Sequence, residues 1–171
     1  YYVTTALKLG APDRKVSFCV PTGNFGNVMA GYMASKMGVP IERLIVASNH
    51  NDVLSRTYQT GTMSMEPVRP SLSPAMDIQV SSNFERLLFD LSERKGRELA
   101  EQIKEFRRSG NWVLNSEVLK RLRSKFIADK ASDEQVLSTI SEVHQKTGLL
   151  VDPHTAVGIS VAERQPPSSS A

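Results

Sequence analysis

Cysteine is almost absent from this chain: Cys19 is the single thiol in 171 residues, so no disulfide can close within it. A reducing, cytoplasmic setting is the expectation. Long hydrophobic runs are missing as well, and no apolar stretch approaches the roughly 18 residues that a membrane span requires. The 40% of hydrophobic residues is enough for the core of one ordinary domain. Charge of one sign is also lacking. Lys and Arg number 21 against 18 Asp and Glu, a net charge of +3, and the basic residues are scattered among acidic ones. These absences argue against nucleic acid and membrane as partners. The 3 histidines and the cysteine are too widely spaced for a recognised metal motif, so no metal site is expected. The chain begins at Tyr1, and its first apolar residues lack the order of a signal peptide; the start reads as a cut through a longer protein.

What is present is an alternation of strand and helix patterns. Val16 to Val20 is short, β-branched and aromatic, bounded by Asp13-Arg14-Lys15 and Pro21, and predicts a buried strand that contains Cys19. Met29, Ala30, Met33, Ala34 and Met37 recur at helical spacing over 27–37, with Gly38 to end the helix and Pro40 to prevent its resumption. Leu44 to Ala47 predicts a second buried strand. Strand, helix and strand make a βαβ unit with parallel strands and a right-handed crossover.

Asn51 or Asp52 can cap a further helix that Gly61 stops, followed by a loop with Pro67, Pro70 and Pro74. Ser82-Asn83-Phe84-Glu85 has capping-box spacing for a helix to about Leu91. From Gly96 to Gly148 the chain is charged and amphipathic, with helices expected over 96–108, 116–127 and 133–147, the last opened by Ser132 and Gln135; this predicts a helical insertion or lid. Leu149 to Val151 returns to a strand pattern, and Thr155 to about Glu163 to a helix. Residues 1–95 and 149–165 then form an open, mostly parallel α/β sheet flanked by helices, and 166–171 a flexible tail.

The loop Pro21 to Asn27 lies between a strand and a helix, where backbone amides converge and the helix dipole favours an anion. Gly23 and Gly26 permit close approach and positive φ, Asn24 and Asn27 offer amide donors, and Phe25 could form an apolar wall. Read alone, the loop is either an anion site or a tight turn. It is not a Walker loop, since no Gly-Lys-Ser/Thr follows, and the spacing and the absence of an acid after the second strand argue against a dinucleotide fold.

Three long motifs carry a resemblance. VPTGNFGNVMAGYMASKMGVPIERLIVASNHND (20–52), SLSPAMDIQVSSNFERLLF (71–89) and LLVDPHTAVG (149–158) resemble threonine synthases of the form found in fungi and proteobacteria, in that family's order. The resemblance implies a fold-type II, tryptophan-synthase-β-like pyridoxal-phosphate enzyme, here incomplete. Its implied reaction converts O-phospho-L-homoserine and water to L-threonine and phosphate: protons leave the α and β carbons, phosphate leaves from γ, and water adds at β. By matched position Gly23, Asn24, Phe25, Gly26 and Asn27 hold the cofactor phosphate, although many members have Asp where this chain has Asn27. Thr155 falls where the family sets a hydroxyl near the cofactor's ring nitrogen; on the residues alone it is an N-cap.

The resemblance places the Schiff-base lysine upstream. None of the nine lysines here sits in the family's lysine motif, so no catalytic residue is assigned and the isolated segment is expected to be inactive. His154 is a possible proton carrier or an ordinary helix-end residue, with His50 and His144 weaker candidates. Asn49, Asn51, Asp52, Asp77, Asn83 and Arg86 lie in the motifs but have plain roles as caps, turn residues or solvated charges. The partners implied are the small-molecule substrate and the remainder of the same polypeptide; oligomeric state is not readable, a monomer being the starting expectation. The rival readings are a threonine-synthase-like phospho-lyase, which releases a keto acid and ammonia, and a non-catalytic binding module.

Overall fold

A computed structural model describes residues 1–166. In chain order these form α1 (Tyr2–Lys8), β1 (Val16–Pro21), α2 (Gly26–Lys36), β2 (Ile41–Ser48), α3 (Val53–Thr60) and β3 (Thr62–Ser64). A single 3-10 turn (Pro74–Met76) precedes α4 (Phe84–Leu91), α5 (Gly96–Ser109), β4 (Asn111–Val113) and α6 (Ser116–Lys125). The last elements are β5 (Phe126–Lys130), α7 (Asp133–Thr147) and α8 (Pro153–Glu163). The tail, expected to be flexible, lies outside the described residues apart from Pro166.

β1, β2 and β5 make a parallel sheet in the order β1-β2-β5, with Val20 opposite Val46 and Val46 opposite Ala128. The central strand, β2, is buried continuously from Leu44 to Ser48, as a parallel strand covered on both faces must be. Because side chains alternate along a strand, Val20, Leu44, Val46, Phe126 and Ala128 share a core with Val28 and Tyr32 of α2, Leu54 of α3 and Leu87 of α4. Ile45 and Ala47 join Ala156, Val157 and Val161 of α8 and Val136 of α7 in a second one. Each fully buried Val, Leu, Ile or Phe among them contributes about 1.5–3 kcal/mol. Helices on both faces thus sandwich the sheet, the α/β architecture expected.

Local signals set several boundaries as anticipated. Gly38 (φ 100) follows α2 and Gly61 (φ 76) closes α3. The Ser132 box is complete: Ser132 Oγ accepts from Gln135 N at 3.3 Å and Gln135 Oε1 accepts from Ser132 N at 2.9 Å. Other expectations are corrected. The helix expected over 116–127 stops at Lys125, and Phe126 opens a strand that pairs with β2. The stretch 96–148 is therefore not helical throughout; it supplies one strand of the parallel sheet and, through β4, half of an antiparallel pair with β3. Leu119, Leu122 and Phe126 keep helical spacing across the junction, so periodicity could not mark it. Leu149 to Val151 forms no strand, and Leu149 and Leu150 are exposed. An extended apolar pattern becomes a strand only beside a partner, and none among the described residues flanks it.

Two expected caps are also absent. Asp52 occupies the N-cap of α3, but its carboxylate instead accepts from Arg56 Nε at 2.8 Å and Lys130 Nζ at 2.6 Å. Burial opposes its ionisation, yet these two cations outweigh that and hold its pKa below the ordinary value. The Ser82–Glu85 box does not form: Asn83 is the N-cap without a side-chain bond to the helix, and Glu85 pairs with Arg107 at 3.1 Å. Asn83 is committed elsewhere, to the loop after β1.

Candidate functional site

Parallel strands end on one edge, so Pro21, Ser48 and Lys130 lie together. Open α/β sheets bind ligands outside that edge. Thr22 is the last residue tied to the sheet there, its N–H donating to Ala47 O at 2.8 Å. Beyond it, from Gly23 to Val28, no backbone amide donates to any group among the described residues.

The carbonyls of the same stretch are held. Gly23 O accepts from Ser81 Oγ at 2.9 Å, and Asn24 O accepts from Asn83 N at 3.1 Å and from Asn83 Nδ2 at 2.9 Å. In a trans peptide the N–H points opposite to the C=O, so fixing these two oxygens turns the amides of Asn24 and Phe25 away from Ser81 and Asn83. Phe25 then takes a left-handed conformation (φ 64, ψ 3) immediately before the first turn of α2. A left-handed residue followed by helix folds successive N–H groups into a concave nest suited to an anion.

That conformation costs an L residue about 1–2 kcal/mol. The Phe25 side chain offsets it: the residue is 2% exposed, edge-on to the Phe84 ring at 5.2 Å and tilted on Phe126 at 6.0 Å. Phe25 is thus an anchor in the core, not the apolar wall of a pocket. The expected positive φ also belongs to Phe25 and to neither glycine of the loop. Gly23 is required by space: a Cβ there would lie 2.7 Å from Ala75 O and 3.3 Å from Met76 Cα. At Gly26 the nearest atom, Asn83 Nδ2, would be 3.4 Å away, an ordinary contact. Asn24 and Asn27 are exposed, and Asn27 Oδ1 accepts from the Tyr2 hydroxyl at 3.0 Å, leaving its Nδ2 for another acceptor. Burial pushes the Tyr2 phenol up to about 12 and keeps it a donor.

The first turn of α8 approaches the same region. Gly158 lets the helix lie against Pro21, where a Cβ would be 2.9 Å from Pro21 Cγ, and its carbonyl accepts from Cys19 Sγ at 3.1 Å. Cys19 is half-buried, and burial raises its thiol to about 11. Asp152, not Thr155, is the N-cap of α8: its Oδ1 accepts from His154 N at 2.9 Å and Thr155 N at 3.3 Å. Thr155 Oγ1 donates to Asp152 Oδ2 at 2.6 Å, the first of several hydrogen bonds that bring the Asp152 carboxyl down to about 2. His154 has both nitrogens engaged. Nε2 accepts from Ala75 N at 3.3 Å, so the proton is on Nδ1, which donates to Asp152 Oδ1 at 3.1 Å. A ring so tied is a poor proton carrier. Ala75 therefore touches both sides, with its carbonyl over Gly23 and its N–H on His154.

No family model matches the chain. Threonine synthase of Pseudomonas aeruginosa is 49% identical over 162 residues, covering 95% of this chain and 34% of that protein. The chain is homologous to part of threonine synthase. Human threonine synthase-like 1 is 34% identical over 92% of this chain. A crystal structure described as PLP-bound threonine synthase from Brucella melitensis superposes with a TM-score of 0.97 at 46% identity, covering 99% of this chain and 37% of that one. Yeast threonine synthase gives 0.91 at 36% identity over 96% of this chain. The chain thus spans about a third of the length of the threonine synthases it matches, with the fold of a fold-type II enzyme.

Lys130 lies at the carboxyl edge of the sheet, and its ammonium is bound to buried Asp52. A nucleophilic amine must be free to reach a carbonyl, and this one is committed to the Asp52 carboxylate at 2.6 Å. Sequence reasoning missed Ser81 and Ala75 and set aside Asn83 and Asp77. Ser81 and Asn83 carry a visible signal, a Ser-Ser-Asn cluster before a helix, which reads locally as a cap.

Proposed function

We propose that the intact protein is a threonine synthase that converts O-phospho-L-homoserine and water to L-threonine and phosphate. In this reading the present segment holds pyridoxal phosphate without supplying its covalent lysine. The observation that carries it is the run of amides from Gly23 to Val28 that find no partner among the described residues, in a chain 49% identical to a threonine synthase.

The residues suit the cofactor. A phosphate presents accepting oxygens, and the loop offers donors: its amides and Nδ2 of Asn24 and Asn27, at the head of an 11-residue helix with no acid in its first turn. Gly23, Asn24, Phe25, Gly26 and Asn27 would hold the phosphate, Phe25 through its backbone alone. Thr155 would meet the ring nitrogen with the hydroxyl that donates to Asp152 here. Pyridoxal phosphate, when bound, supplies an electron sink for charge developing on the substrate. This chain's part is to fix the cofactor at both ends, since orientation alone contributes much of a rate.

The covalent lysine and the substrate-phosphate contacts then lie in the about two thirds of the relatives' length that this chain does not span. The remaining polypeptide would also cover Leu149 and Leu150, which are 65% and 79% exposed. A cytoplasmic location accords with the free thiol of Cys19. In the intact protein Gly23→Val is expected to weaken cofactor affinity roughly 10- to 100-fold, the 1–3 kcal/mol of an overpacked contact. Unchanged affinity in a cofactor titration removes the loop from the site. Product analysis separates threonine from the keto acid and ammonia of a phospho-lyase. The 171-residue chain alone, given cofactor and phosphohomoserine, is expected to release no phosphate above background, and steady turnover contradicts that.

A further inference from the structure

The segment 65–80 carries Ala75, yet its only regular element is the single turn Pro74–Met76. What holds it is a cluster of polar side chains around Asp77. Asp77 Oδ1 accepts from Asn49 Nδ2 at 2.7 Å, Asn51 Nδ2 at 2.9 Å and Ser71 Oγ at 2.6 Å, while Oδ2 accepts from Ser71 N at 3.0 Å. Asn49, 1% exposed, sits directly after β2, and its Oδ1 accepts from Asn51 N at 2.9 Å. Its Nδ2 also reaches Ser73 Oγ at 3.0 Å. Asn51 grips Arg69 at both backbone atoms, donating to its O at 2.8 Å and accepting from its N at 2.9 Å.

Every partner of Asp77 is a neutral donor, and no cation pairs with it among the described residues. A carboxylate fits four donors, whereas a carboxamide would set its NH₂ against one of them. Two residues away, Ala75 closes over Gly23 on one side and donates to His154 on the other. The end of β2, through Asn49 and Asp77, thereby fixes a backbone unit that touches both the loop after β1 and the first turn of α8.

We propose that Asp77 is a positioning residue: with Asn49, Asn51 and Ser71 it sets the spacing between the phosphate loop and the α8 turn that bears Thr155. The proposal rests on the reading of that loop as the cofactor-phosphate site. It assigns Asp77 no contact with cofactor or substrate; its effect passes through Ala75.

The test uses the intact protein and pyridoxal phosphate itself. Asp77→Ala, which removes the acceptor of four hydrogen bonds, is expected to raise the cofactor dissociation constant roughly tenfold or more and to move the phosphorus resonance of the bound cofactor. Asp77→Asn keeps three of the four bonds and should fall between that variant and the parent. Ser71→Ala removes a donor and leaves the charge, and serves if either Asp77 variant fails to fold. Leu99→Ala, in the buried face of α5, is the control: it lowers the melting temperature without touching the cluster. If Asp77→Ala or Ser71→Ala lowers melting as Leu99→Ala does but leaves affinity and resonance unmoved, Asp77 is merely structural and the proposal is overturned. Gly23→Val distinguishes the two failures: if it too leaves affinity unchanged, the loop reading itself fails.

Discussion

Among the helices that begin near the carboxyl edge of the sheet, α2 and α8 have first turns built in opposite ways. α8 opens with Asp152, whose carboxylate takes the amides of His154 and Thr155 and the Thr155 hydroxyl, and with Pro153, which has no amide to satisfy. Its positive end is already neutralised. α2 opens with Phe25, a residue without a capping side chain, held left-handed by core packing, and its first amides meet no acceptor among the described residues. A helix start left uncapped forgoes about 1 kcal/mol of stabilisation. The contrast teaches that an anion site is recognised less by the helix dipole, which both share, than by the absence of an internal anion.

The largest expected effect comes from breaking the device that keeps α2 open. Phe25→Ala removes a ring packed on Phe84 and Phe126 and should destabilise the intact protein by about 3–5 kcal/mol in urea unfolding. Phe25→Gly loses the same ring but relieves the left-handed strain, so it should be no less stable than Phe25→Ala. That reverses the usual order of the two residues, and a clearly less stable glycine variant would show that the strain is not there.

Converting the head of α2 into something like that of α8 is the next test. Asn24→Asp sets a carboxylate beside the free amides, where it competes with a phosphate and repels it. Cofactor affinity should fall by roughly fivefold to tenfold, about 1–1.4 kcal/mol, and less at high salt. An unchanged affinity would mean that the amides of Gly23 to Val28 do not face the phosphate.

How much of this contrast was legible in the sequence depends on the range of the forces involved. β1, α2 and β2 were readable because Val16 to Val20 and Leu44 to Ala47 are dense apolar runs around one helical repeat, with Gly38 and Pro40 as punctuation. The Ser132 box was readable because its partners are three residues apart. By contrast, Ser82 and Asn83 fit a cap by spacing, but Asn83 and the neighbouring Ser81 serve a loop some 58 residues away. The need for glycine was visible at position 23, but its reason, the carbonyl of Ala75, was not. β5 was hidden because Phe126 continues the spacing of Leu119 and Leu122, and only pairing with β2 makes it a strand. Local chemistry was legible; commitments across the fold were not.

The smallest expected effect is at α8, and its pH dependence gives it a signature. The hydrogen bonds to Asp152, chiefly from Thr155, lower its pKa from 3.8 to about 2 in the folded protein. A depressed carboxyl pKa means that the unfolded chain binds the proton more readily, so the stabilisation is complete above the unfolded value and is lost as pH falls through the folded one. The side chain is 59% exposed, and solvent screening limits the effect to about 1 kcal/mol, an ordinary cap. Asp152→Ala should therefore lower stability by about that amount near neutral pH, with the difference from the parent shrinking between 3.8 and about 2. Its effect on cofactor affinity should be smaller than that of Asn24→Asp, because Asp152 neutralises its own helix and not the loop. A pH-independent difference would mean that the loss is one of packing and that the carboxylate is not the cap.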